Sequence, residues 1–178
     1  QAQVNNLQYL GDGELPKIWA QDIPVRIQKT LDKLANNLGS REQLLDFLRN
    51  TMFRRSLFVN KEIRLERNLS TKKLLSLYLL SRSVPENLTG RLSSEEEMVF
   101  KNPNGGALKT AVPLVKSALL QLAEAYPQAL SFAELSERAQ KRLRAEEPDY
   151  QSAKQEDIVQ LAATLLRAYT ADLIKLRV

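Results

Sequence analysis

The chain has 178 residues, with 26 lysines and arginines against 21 aspartates and glutamates and a formal charge of +5. It is therefore long enough to bury a core without staples, and only mildly basic. It holds neither cysteine nor histidine, which excludes disulfides, a thiolate nucleophile, the commonest general base and the commonest zinc ligands. Aromatic residues are too scarce, at 6%, for a base-stacking platform. No apolar run approaches the ~20 residues of a membrane span and no signal peptide is visible, so the expected compartment is the cytoplasm.

Residues Val4 to Leu15 read as a short extended piece, LQYL, closed by the turn Gly11-Asp12-Gly13. A helix follows, with Asp22 able to cap it, Pro24 in its first turn, and Ile27, Leu31, Leu34 and Leu38 at helical spacing. Gly39 is placed to end it as a left-handed cap. Ser40 then opens the next helix, with Gln43 completing a capping box and Leu44, Leu45, Phe47 and Leu48 as its apolar face.

The run Leu57-Phe58-Val59 reads as a buried strand, whereas Leu74 to Leu80 fits strand or helix. Ser81 to Glu97 is polar, carries Pro85 and Gly90, and reads as a flexible loop. Met98 to Thr110 reads as a hairpin with Asn104-Gly105 supplying the positive φ angles of a tight turn.

From Pro113 the pattern changes to three helices and a strand. Pro113 starts the first, Ser131 with Glu134 opens the second, and Ser152 with Gln155 opens the third. Ile174, Leu176 and Val178 alternate with Lys175 and Arg177 as a half-buried strand. Helix, turn, helix, helix, strand is the order of a winged-helix module lacking its second wing strand. The start at Gln1 without methionine, and the end inside an alternating pattern, read as cuts in a longer polypeptide.

Few residues suggest chemistry. Gly11-Asp12-Gly13 lacks the further glycine, and the helix directly after it, that a dinucleotide or methyl-donor loop needs. Glu95, Glu96 and Glu97 point alternately if they lie on a strand, and so do not converge on a cation. The cluster Arg49, Arg54 and Arg55 is the candidate binding site. Its planar forks suit an acidic peptide or a carboxylate on a neighbouring domain, and its plainer reading is a structural ion pair to Glu42, Asp46 or Glu62. Were the third winged helix to read DNA, its first turns should be basic. Here Glu156 and Asp157 stand there, which suits the helix dipole and repels phosphate.

LQYLGDGELP, DFLRNTMFRRSLFVN and FKNPNGGALKTAVPLVKSALLQLAEAYPQALSFAEL, in that order, resemble the methyltransferase regulatory domain family over nearly the whole chain. Family members lie C-terminal to class I S-adenosylmethionine-dependent methyltransferase domains in bacterial proteins, including protein-lysine methyltransferases. Many end the middle motif in histidine, where this chain has Asn60. The resemblance implies no catalytic, cofactor-binding or metal-binding residue here, and S-adenosylmethionine in an upstream catalytic domain. The implied partners are that upstream domain and a protein substrate, with nucleic acid disfavoured and no membrane.

The expected fold is α+β and mostly helical. Residues 1–15 form an exit segment from a catalytic domain, 16–112 a helical hairpin with a small antiparallel sheet, and 113–178 a truncated winged-helix-like subdomain. The expected role is that of a non-catalytic accessory domain of a methyltransferase, or alternatively a winged-helix-type binding module independent of one.

Overall fold

The computed structural model describes residues 5–13, 23–53, 55–65, 70–86, 91–146, 148, 150 and 152–178. The chain is α+β, with six helices and small antiparallel sheets among these residues. It divides into two compact units, Gln1–Asn68 and Leu69–Val178. The boundary expected near residue 112 thus lies further upstream, because the hairpin of residues 98–110 shares the core of the helices that follow it.

In the first unit, strand β1 (Leu7–Asp12) pairs antiparallel with β2 (Ser56–Asn60), matching Tyr9 to Phe58 and Asp12 to Ser56. The register shifts between Tyr9 and Gly11, so the glycine expected in a closing turn sits instead in a β-bulge. The ladder continues past the strand, where the Gly13 N–H donates to the Arg55 carbonyl at 2.6 Å. Helix α1 (Val25–Leu34) ends before Gly39, which lies inside α2 (Leu38–Arg49). Asn37 is the N-cap of α2, its side-chain oxygen accepting the Ser40 N–H at 2.9 Å. Asn37 outcompetes the expected Ser40 box because its short amide reaches the free N–H one turn earlier. The Asp22 cap lies outside the described residues.

The buried apolar residues of this unit among those described are Ile23, Leu31 and Leu45. The buried Glu42 accepts a hydrogen bond from the Tyr9 hydroxyl and so ties α2 to β1. The central, buried strand expected at Leu57-Phe58-Val59 is a strand but is not buried: Phe58 is 47% exposed. A two-stranded ribbon has no third layer to cover its second face.

The second unit is built around α4 (Pro113–Ala125), which buries Leu114 through Leu120 and Leu122. Helix α5 (Phe132–Glu146) lies against it, and the Ser117 hydroxyl donates to the Ala139 carbonyl at 2.8 Å, satisfying a polar group at full burial. Ser131 caps α5 as expected, accepting the Glu134 N–H at 3.2 Å. Helix α6 (Gln155–Thr170) contributes Leu161, Ala162, Leu165 and Ala168. It starts two residues later than the Ser152 box predicts, with the Asp157 carboxylate accepting the Lys154 N–H at 2.7 Å.

The ambiguous leucine run splits into a short helix, α3 (Thr71–Leu74), and strand β3 (Tyr78–Leu80). The presumed flexible loop contains strand β4 (Val84–Pro85) and the buried side chains Ser81, Ser83 and Leu92. The expected hairpin is present as β5 (Met98–Lys101) and β6 (Ala107–Thr110), with β4 on its other edge. Its loop is wider than a two-residue turn: the Asn102 side-chain oxygen accepts the N–H groups of Asn104 and Gly106, and only Gly105 takes a positive φ, 93°. Glu95 to Glu97 sit on turns before β5 rather than on a strand.

The remaining sheet has the order β7 (Leu130–Ser131), β3, β8 (Lys175–Arg177), antiparallel throughout. Strand β3, from upstream in the chain, thus stands between β7 and β8. Sequence order hides this, because strand pairing of that separation leaves no local signature.

Lys116 on α4 is buried among these elements. Its ammonium donates to the Ser94 carbonyl at 2.7 Å and to that of Leu92 at 3.4 Å, in a pocket also lined by Glu86, Glu96 and Glu97. Burial lowers its pKa below the ordinary 10.5, with Glu96 opposing. The unfolded chain then binds more protons between the lowered value and 10.5, so Lys116 makes stability rise with pH through that window. The urea midpoint of the native protein should climb as the pH rises towards 10.5 relative to Lys116→Met, which lacks the titrating group. Tyr150 and Tyr169, both raised by burial first, act in the opposite sense above pH 10.0 and cancel in that comparison. Parallel pH profiles for the two proteins would show that the ammonium carries no desolvation penalty.

Candidate binding surfaces

Two surfaces, one on each unit, can hold a partner. On the first unit, α2 ends at Asn50, which adopts the left-handed conformation with φ 52°. The Thr51 N–H caps the Asp46 carbonyl at 2.9 Å. This closure throws residues 51–53 off the helix as extended chain. Leu45 faces the core, and Phe47, about 200° further round the helix, must face away from it. Phe47 is 89% exposed, Met52 83% and Phe53 90%, with Leu48 beside them more than half exposed. The apolar face expected on α2 is thus divided, with Leu45 packed inward and Phe47 and Leu48 facing out.

The arginines of the sequence motif flank this patch in the chain. Arg49 is partly buried in the last turn of α2, and Arg55 is exposed at the entry to β2. Both have partners within the chain. Arg54 lies outside the described residues. Of the three partners weighed from sequence, Glu42 is the one the fold buries.

On the second unit, the hairpin tip, the turn after α4 and strand β8 enclose a cleft of about 230 Å³. Its polar lining comes from Arg82, Asn102, Tyr126, Asp172, Lys175 and Arg177. Lys175 and Arg177 stand two apart on β8 and share a face. The Arg82 guanidinium lies over the Tyr126 ring, 5.8 Å from its centroid, a cation–π contact. The floor is held by two hydrogen bonds, from the Asn102 amide to the Asp172 carbonyl and from the Ser81 hydroxyl to the Leu173 carbonyl, the latter 2.7 Å long. Sequence reading missed this cleft. The alternation at 174–178 placed Lys175 and Arg177 together, but Arg82 and Tyr126 reach them only through the tertiary fold.

The glycines of the chain were weighed as a nucleotide loop. Gly11 lies in the bulge of β1, Gly39 inside α2, and Gly105 and Gly106 on the hairpin tip. None of these four stands in a strand–loop–helix turn of the kind that brings backbone donors to a methyl donor. Among the described residues no three carboxylates converge as metal ligands would, and no helix is long and apolar enough to cross a membrane.

Residues 1–60 match the family described as a predicted methyltransferase regulatory domain, the family that the sequence motifs resemble. The chain is 26% identical over 148 residues to an uncharacterized protein of Rickettsia prowazekii (strain Madrid E), covering 80% of the chain and 27% of that protein. Its fold matches PKMT2 from Rickettsia typhi with a TM-score of 0.78 at 23% identity, over 99% of this chain and 34% of that one. PKMT2 in complex with AdoHcy matches equally well, with a TM-score of 0.77 at 21% identity, again over 99% of this chain and 34% of that one. The chain thus spans about a third of the length of the proteins it matches.

Proposed function

We propose that the chain is a non-catalytic regulatory or substrate-positioning domain of an S-adenosylmethionine-dependent methyltransferase. The observation that carries this reading is the apolar surface of Phe47, Leu48, Met52 and Phe53 on a unit whose described core holds three buried apolar side chains. At ~1.5–3 kcal/mol for each buried side chain, the described core by itself stabilises its helices and ribbon only modestly. A large neighbour covering the patch adds to that, and an upstream catalytic domain, the partner that the family resemblance implies, fits the place. Residues 1–15 are then the exit segment from that domain. AdoHcy in PKMT2 is what S-adenosylmethionine becomes on losing its methyl group, which supports that donor for the parent protein.

The acceptor is a protein, held partly by Arg49, Arg54 and Arg55 beside the covered patch, in the cytoplasm. The second unit is winged-helix-like, with β3 standing in for the missing wing strand. Glu156 and Asp157 at the start of α6 oppose its use on DNA.

The test uses the full-length parent. Phe47→Ser with Phe53→Ser should leave S-adenosylmethionine affinity nearly unchanged and lower acceptor turnover about tenfold or more, because orientation of the acceptor contributes to the transition state and not to donor binding. Full turnover by this variant, or by a parent lacking the chain, would overturn the reading.

A further inference from the structure

The cleft on the second unit is independent of the patch just described and carries a ligand of different chemistry. Arg82, Lys175 and Arg177 converge on it, and among the described residues none of the three is in an ion pair with a carboxylate. Four other cations of this unit are matched: Lys101 with Glu86, Lys109 with Glu97, Arg138 with Glu134, and Arg142 with Glu124 and Glu146. The one acid lining the cleft, Asp172, leaves it with an excess of two positive charges, three against one. Concave walls around unpaired cations concentrate their field and favour an anion.

We propose that this cleft binds an acidic peptide segment in extended conformation. Three features select a peptide over other anions. Among the described residues strand β8 is an edge of its sheet, with β3 on its one paired side, the kind of position at which an extended segment adds to a sheet. Lys175 and Arg177 project two residues apart on one face, which matches carboxylates at alternate positions of such a strand. Nucleic acid would need an open aromatic platform, and the one ring lining the cleft, Tyr126, already has one face engaged by the Arg82 guanidinium. That stacking also holds the guanidinium plane at the cleft wall, where its fork can meet a carboxylate with two parallel hydrogen bonds.

The experiment titrates the 178-residue chain with a fluorescent peptide of alternating glutamate and threonine, and in parallel with inorganic phosphate and an oligothymidylate. Binding of the alternating peptide should weaken by about tenfold or more in Arg177→Gln and in Arg82→Ala, and Arg82→Lys should restore only part of the loss, since a lysine has no planar fork. Lys109→Gln, whose lysine serves Glu97 outside the cleft, should bind as the native chain does. A peptide with its glutamates grouped at one end should bind more weakly than the alternating one. Three results would each overturn the proposal: equal binding by the cleft variants and the native chain, tighter binding of oligothymidylate than of peptide, or no peptide binding at millimolar concentration.

Discussion

Replacing Phe100 with alanine should cost the second unit about 3–5 kcal/mol, the usual range for truncating a buried phenylalanine. Phe100 is fully buried on β5, opposite Leu108 on one side and Pro85 on the other, within the cluster formed by α4, α5 and α6. The surrounding helices are pinned by their own packing and by the Ser117 bond to Ala139, so the vacated space cannot collapse. The same substitution at Phe58 should cost only about 1–2 kcal/mol, since that ring is half-exposed and its specific contact is an edge-on approach to Tyr9 at 5.6 Å. Urea unfolding of the two variants, with amide exchange to locate the loss, checks the contrast. Equal costs would mean that Phe58 is covered in solution by something that removes it from water as fully as Phe100.

Gly106→Ala should be the most disruptive small change in the chain. A Cβ built there would lie 2.6 Å from the carbonyl oxygens of both Ala171 and Asp172, backbone atoms that cannot swing aside. The hairpin tip would have to retreat from the turn between α6 and β8, and the Asn102 bond to the Asp172 carbonyl would break with it. Overpacking of this kind costs about 1–3 kcal/mol. Because Asn102 and Asp172 also line the cleft, the substitution should weaken peptide capture alongside stability. Gly105→Ala next to it separates the two effects: it meets no atom within 4 Å but is strained by its φ of 93°. It should therefore lose stability while keeping the contact of the tip with the turn. A Gly106→Ala protein with unchanged urea midpoint would show that the tip does not press on the turn.

Much of the second unit was legible in the residues. The apolar spacing of α4, α5 and α6 repeats at the helical period with caps and a proline at the expected ends, and local hydrogen bonding decides such elements. The hairpin of β5 and β6 was legible for the same reason, its two strands and its glycine being neighbours in sequence. Errors in capping were small in extent: Asn37 caps α2 in place of Ser40, another short polar side chain three residues on, and α6 starts two residues late where the Asp157 carboxylate reaches back to the Lys154 N–H.

What the sequence by itself determined is the longer helices, strand β2 and the hairpin, the absence of histidine and cysteine chemistry, and the family resemblance that the match over residues 1–60 supports. Burial and assembly were decided by the tertiary structure alone. An apolar run such as Leu57-Phe58-Val59 signals a strand, but whether it is buried depends on how many layers form around it, and here the first unit supplies one ribbon. Phe47 lies on α2 opposite Leu45, a spacing visible in the sequence, yet only the small core of Ile23, Leu31 and Leu45 shows that no second layer covers it. The insertion of β3 between β7 and β8, and the meeting of Arg82 with Lys175 and Arg177, join residues about fifty to a hundred positions apart. Contacts of that separation arise from the closure of the whole core around α4, and no local pattern encodes them.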